Sequence, residues 1–150
     1  MMSTFHADLD RGIQIEKKVL DILKNDYPSA TIINGYKGYD IWIPEISKSL
    51  EIKYDPMSNQ TGNIVVEIEM SGKSSALLTT TADFWIFYDN KSFMIITPMK
   101  IVECIFKERL LYANFTGNGD KNSKKAFLVK KKVLARYAKR VVEVDNEPNS

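Results

Sequence analysis

Asp40, Glu51 and Lys53 carry the groups in this chain best suited to chemistry, on two short apolar segments within GYDIWIPEISKSLEIKY, Gly38 to Tyr54. Ile41 to Pro44 and Leu50 to Tyr54 are separated by the polar break Glu45 to Ser49, the pattern of strand, turn and strand. Side chains alternate along a strand, so Asp40 shares a face with Trp42 and Glu51 with Lys53, while Ile41, Ile43, Leu50, Ile52 and Tyr54 take the other. Apolar sets turned to one core would gather two carboxylates and one ammonium opposite. Two acidic oxygens at one end of a hairpin suit Mg²⁺, which keeps several waters and takes one or two protein carboxylates. Such an ion polarises a phosphoryl oxygen and lowers the pKa of a bound water, and a neighbouring lysine orients that water or offsets the charge developing on phosphorus. Alone, this arrangement reads better as three solvated strand residues, because D…E-x-K occurs by chance in many chains.

Asp40, ten intervening residues and then Glu51-Ile52-Lys53 on consecutive strands resemble the PD-(D/E)XK nuclease superfamily, with Tyr39 standing where the motif's name has Pro. The resemblance implies an α/β fold with a restriction-endonuclease-like core, a mixed central β-sheet flanked by α-helices. It implies a Mg²⁺-dependent deoxyribonuclease, an endonuclease more than an exonuclease, with Mn²⁺ able to substitute. Asp40, Glu51 and Ile52 would hold the metal, and Lys53 would be catalytic. The stretch RGIQIEKKVL is similar to that family's opening helix, whose Glu often supports the site, here Glu16. The stretches YDPMSNQTGNIVVEIE and TTTADFWIFY resemble a group of phage and bacterial nuclease-like proteins with T-G-N…E and T-x-A-D-[FYW]-W elements, which makes Asn63 and Glu67 candidate active-site neighbours. Relatives that dimerise to cut both strands imply a homodimer. The competing expectation is a catalytically silent nucleic-acid-binding accessory protein that retains the fold.

The chain has 150 residues with 44% apolar content, which suits one domain spanning 1–150 with frayed ends at 1–7 and 145–150. One cysteine, Cys104, excludes an internal disulfide framework, and one histidine, His6, excludes a histidine-based triad or metal cluster. No apolar run is long enough to cross a bilayer and no signal peptide is legible, so a cytoplasmic protein is expected. The net charge of +2 conceals an asymmetry: from Lys107 to Arg140 there are eleven basic residues against two acidic ones, which leaves −7 for the rest. A basic C-terminal third suits a polyanion, and DNA is the expected partner. Lys37, Lys73, Ser74, Lys121, Lys124 and Lys125 are the candidate phosphate contacts; a lysine-rich solvated surface is the plainer alternative.

The elements that must position these groups follow from periodicity. Asp8 to Lys24 has helical spacing, with Ile13, Val19, Leu20 and Leu23 on one side and Asp8 or Asp10 as cap. Glu16 falls on that apolar side, where either a salt bridge to Lys17 or Lys53 or a place in the acidic site would satisfy it. Tyr27-Pro28 ends the helix, Thr31 to Ile33 is a first strand, and Asn34-Gly35 and Lys37-Gly38 are turns. Asp55 to Gly62 is a loop, and Asn63 to Met70 alternates as a strand. Ser71 to Ser75 lacks the first glycine of a nucleotide-binding P-loop and instead suggests a helix start running to Leu78, with amides and Lys73 able to hold a phosphate. Phe84 to Tyr88 is apolar on both faces, as in a buried strand, with Phe93 to Thr97 as hairpin partner. Thr97-Pro98 starts a helix packed through Met99, Ile101, Val102, Ile105 and Phe106. Trp42 and Trp85 are expected in the core, and Thr116 to Lys125 is expected to be a surface loop. A short strand at Phe127 to Val129, a helical turn at Lys132 to Tyr137 and an edge strand at Val141 to Val144 complete the reading.

Overall fold

The structure is a computed structural model that describes residues 4–36, 38–116 and 123–144, without the side chains of 4–10 and Thr116. The expected hairpin is present: β2 (Ile41–Ile43) pairs antiparallel with β3 (Lys48–Tyr54), Ile41 opposite Leu50 and Ile43 opposite Lys48. A two-residue β1 (Thr31–Ile32) joins the outer edge of β2. On its other side β3 runs parallel to β6 (Phe84–Tyr88), with Glu51 beside Trp85 and Lys53 beside Phe87. β7 (Ser92–Ile96) and β10 (Arg140–Glu143) extend the sheet antiparallel, giving the order β1-β2-β3-β6-β7-β10. The protein is thus mixed α/β, with an open mixed sheet flanked by a few helices.

All five residues of β6 are buried, because this central strand feeds two cores. Phe84, Ile86 and Tyr88 join Ile41, Ile43 and Leu50 under α1 (Thr4–Leu23), which contributes Val19 and Leu23. Trp85 and Phe87 face the other way, toward Ile64, Val66, Ile101, Cys104, Val129 and Leu134. That second core is closed by α3 (Pro98–Lys107), α4 (Lys131–Ala135) and a separate antiparallel sheet, ordered β5-β4-β9-β8. Its strands are β4 (Asn63–Met70), β5 (Lys73–Ser74), β8 (Tyr112–Thr116) and β9 (Ser123–Lys130). A short α2 (Ser58–Thr61) precedes β4, in what had read as a loop.

Several expectations are corrected. The first helix starts at Thr4, so Asp8 and Asp10 lie inside it and are not its cap. Its packed stripe is Val19 and Leu23, both buried, with Ile15, Leu20 and Ile22 partly buried against the same core, and Ile13 is exposed. Trp42 is half-buried on the side opposite Ile41 and Ile43, against Tyr39. Met99 and Phe106 are exposed, while Ile101, Val102 and Ile105 pack as expected, joined by Cys104. Most consequentially, Ser71 to Ser75 does not start a helix. Ser71 and Gly72 both take positive φ, 51° and 79°, and form the turn between β4 and β5, after which a single 3₁₀ turn spans Ala76–Leu78. Lys73 and Ser74 therefore stand exposed on a hairpin, not at helix amides. Lys124 and Lys125 lie in β9 rather than in a loop.

The cap of α3 is as expected: the Thr97 side chain accepts a hydrogen bond from the Lys100 amide at 3.2 Å, and Pro98 opens the helix. Thr97→Ala should cost about 1 kcal/mol. In a domain of this size that lowers Tm by about 2–4 °C, readable by circular dichroism.

Candidate active site

β3 outruns β2, and this difference in length builds the site. The chain before Ile41 is held at Asp40, whose amide donates to the Leu50 carbonyl at 2.8 Å and whose carbonyl accepts from the Ile33 amide at 2.9 Å. Beyond that point Asp40 substitutes side chain for strand: its Oδ2 accepts the Ile52 amide at 2.7 Å. The residue between Glu51 and Lys53 thus ties the Asp40 carboxylate to the strand that carries them. Burial pushes the Asp40 carboxyl up, the Ile52 amide pulls it down, and Glu51 and Lys53 act in opposite senses; the net shift is upward. Glu16 is half-buried and also raised, first by burial and then by the Asp40 charge. Helix α1 therefore brings Glu16 into the electrostatic range of Asp40. No ion pair of Glu16 with Lys17 or Lys53 exists among the described residues, so the rim salt bridge is not formed.

Glu51 and Lys53 project on the Trp85 side of β3 and pair at 2.6 Å, with Lys53 Nζ 4.7 Å from the centre of the Trp85 indole. They line an open groove of about 280 Å³ together with Gly38, Glu67, Ala76, Thr79, Thr80 and Thr81. Gly38, read as turn chemistry, thus also borders the groove. Glu67 arrives from the other sheet: β4 does not neighbour β3, and the parallel partner of β3 is β6. A bulge at Ile68 interrupts the alternation of β4, so Glu67 stands opposite Ala126 and Glu69 opposite Lys125. Glu67 accepts the Ser75 hydroxyl at 2.7 Å and lies 3.8 Å from Lys124. Lys125 pairs with Glu69 at 3.6 Å.

Asn63 is not brought to this groove. It sits at the far end of β4, in a separate depression with Asn59 and Lys130 to Lys132. Lys37 and Lys121 lie outside the described residues. Thr80 and Ser75 donate hydroxyls to Glu51 and Glu67 and carry no periodic signal in the sequence; the T-x-A-D-[FYW]-W pattern, Thr80 to Trp85, is the one mark of Thr80. Cys104 is fully buried, with burial raising its thiol, which fits a packed residue and not a nucleophile.

Among the described residues no three histidine, cysteine or acidic side chains form a group able to enclose a metal. The donors near β3 are two carboxylates and, on the edge that meets Asp40, the Ile52 backbone. Two carboxylates and a backbone oxygen are a donor set that Mg²⁺, which keeps several waters, could use. Among the described residues no helix is long and apolar enough to cross a membrane. No family model matches the chain, and no significant match to a curated protein or a solved structure was found.

Proposed function

We propose that this protein is a Mg²⁺-dependent deoxyribonuclease, an endonuclease by preference, with Asp40, Glu51 and the backbone of Ile52 as metal donors. The single observation that carries the reading is the Asp40 to Ile52 hydrogen bond of 2.7 Å, which brings the acid at 40 to the strand bearing Glu51 and Lys53. The hairpin register sets Asp40 beside β3, and this hydrogen bond fixes its carboxylate there, past the end of β2. Bound there, Mg²⁺ would polarise a phosphoryl oxygen and acidify a water. Lys53 orients the attacking water and offsets charge developing on phosphorus, a role suited to an ammonium held over an indole at the mouth of a groove. Glu67 in the groove and Glu16 within electrostatic range of Asp40 add further negative charge, which favours a cation nearby. Lys73 on its exposed hairpin, with Ser74, and the lysines of β9 would meet phosphates, giving salt-dependent and largely sequence-blind binding. Lys124 and Lys125 already face Glu67 and Glu69, so their contribution is the smaller. A double-strand cut needs two such centres, the reason to propose a homodimer acting on DNA.

One observation favours the second reading, a catalytically silent nucleic-acid-binding protein: Lys53 and Glu51 neutralise one another at 2.6 Å. Cleavage of supercoiled plasmid and branched DNA with Mg²⁺, Mn²⁺ or chelator, comparing wild type with Asp40→Ala and Lys53→Ala, separates the two. Nicking that requires the metal and is lost in both variants is expected. DNA retardation without nicking would favour the silent protein, and nicking that survives both substitutions would overturn the enzyme.

A further inference from the structure

We infer that Thr80 and Trp85 are positioning residues that set the orientation of Glu51 and Lys53; this rests on the nuclease reading for its consequence but not for its geometry. Thr80 Oγ1 accepts the Ala82 amide at 3.2 Å and the Trp85 indole Nε1–H at 3.0 Å. A hydroxyl has two lone pairs and one proton. With both lone pairs engaged, the proton has one direction left, and there lies Glu51 Oε1 at 3.4 Å. The other oxygen of the same carboxylate, Oε2, meets Lys53 Nζ. Trp85 closes the arrangement, because the ring whose N–H directs Thr80 also lies beneath that ammonium.

Trp85 can serve in this way because packing surrounds it. It is 1% exposed, at the centre of the second core and edge-on to Phe87. The parallel register fixes it beside Glu51 on the neighbouring strand. At the head of that strand pair the Ser49 amide donates to Asp83 Oδ2 at 2.9 Å, and the Asp83 amide donates to Ser49 Oγ at 3.0 Å. The segment Thr80 to Trp85 therefore grips β3 twice, at Ser49 through Asp83 and at Glu51 through Thr80. The contact to Glu51 is the longest of the three that Thr80 makes, as is common for groups that tighten only when the site is loaded.

Thr80→Val removes the proton and keeps the shape; Thr80→Ser keeps the proton. The Glu51 side-chain carboxyl resonance in metal-free protein, Mn²⁺ affinity by calorimetry, and plasmid nicking are read together, with Tm monitored because Thr80→Val also orphans the indole N–H. The expected result is a displaced Glu51 signal and about 10–100-fold weaker Mn²⁺ binding in Thr80→Val, the range for partners that orient metal ligands. Thr80→Ser should restore both, and Trp85→Phe should weaken Mn²⁺ binding while the ring stays under Lys53. A Thr80→Val protein with an unmoved Glu51 signal and wild-type Mn²⁺ affinity overturns the inference, as does a Thr80→Ser protein no better than Thr80→Val. A Glu51 signal that moves in Thr80→Val and returns in Thr80→Ser, in a protein whose wild type neither binds Mn²⁺ nor nicks DNA, supports the positioning and sinks the nuclease reading instead.

Discussion

Asp40→Asn is expected to abolish metal-dependent nicking and, at the same time, to make the fold more stable at neutral pH. On the nuclease reading the variant lacks one of two charged metal donors, which removes several kcal/mol of transition-state stabilisation, a fall of roughly 10³-fold or more. The stability effect follows from the direction of the shift. Asp40 is raised by burial and by Glu51, so the fold prefers its protonated form. A carboxyl raised in the folded state contributes most below its unfolded value, about 4, and that contribution is lost as pH rises through the folded value. At neutral pH the wild type therefore holds an unfavourable charge that asparagine lacks, while the asparagine Oδ1 still accepts the Ile52 amide. Melting both proteins from pH 4 to pH 7.5 should show Tm values that coincide at the acid end and separate upward. Each kcal/mol of that separation is worth about 2–4 °C. A variant less stable than wild type at pH 7.5 would refute the account.

Asp89→Ala is the substitution expected to damage the fold most, with no direct part in the site. The Asp89 side chain is 6% exposed, at the turn joining β6 to β7, and accepts the Lys91 amide at 2.8 Å and the Ser92 amide at 2.6 Å. It also pairs with Lys131 at the start of α4, whose ammonium in turn reaches Asn59. One carboxylate thus ties the central hairpin to the helix that closes the second core. Burial pushes the Asp89 carboxyl up, but the Lys131, Ser92 and Lys91 contacts outweigh it and hold it below the usual range. A depressed carboxyl contributes stability that is present above about pH 4 and lost as pH falls through the folded value. Removing it leaves two amides and an ammonium without their acceptor, a loss of about 3–4 kcal/mol and roughly 10 °C in Tm. Urea unfolding at pH 7 checks the size. Repetition at successively lower pH below about 4, as the depressed Asp89 carboxyl of the wild type is titrated, should shrink the difference.

The elements around the site differ in how legible they were, and the reason is the same in each case. The β2 to β3 hairpin was readable because each strand has one buried face, so Ile41, Ile43 and Leu50 mark the register without reference to anything distant. Phe84 to Tyr88 was readable because a strand apolar on both faces has only the sheet interior to occupy. Helix α3 was readable at its start, where Thr97-Pro98 is a local signal, and along the middle of its face at Ile101, Val102 and Ile105, but misread at the two ends of that face. Met99 and Phe106 are exposed because the elements packed against α3 cover only the Ile101, Cys104 and Ile105 side. Ser71 to Ser75 was misread because serine and glycine serve a helix cap and a tight turn equally, and the choice lay with β4, which needed a partner in β5. Lys124 and Lys125 looked like loop because charged residues on a strand are conspicuous only when their acidic partners are known, and Glu67 and Glu69 are more than fifty positions away.

By itself the sequence determined the identity of the charged groups, the face of β3 on which Glu51 and Lys53 stand, and the strand, turn and strand that bring Asp40 near them, since all of these depend on neighbours along one hairpin. Only the tertiary structure decided that Glu16 reaches Asp40, that Glu67 crosses from a second sheet, that Asn63 does not join, and that Thr80 and Trp85 stand behind Glu51. Those meetings are made by the parallel pairing of β3 with β6 and by the closure of two cores on opposite faces of one strand. Long-range packing of this kind leaves no period in the chain, because the free energy that selects it belongs to surfaces that touch only after folding.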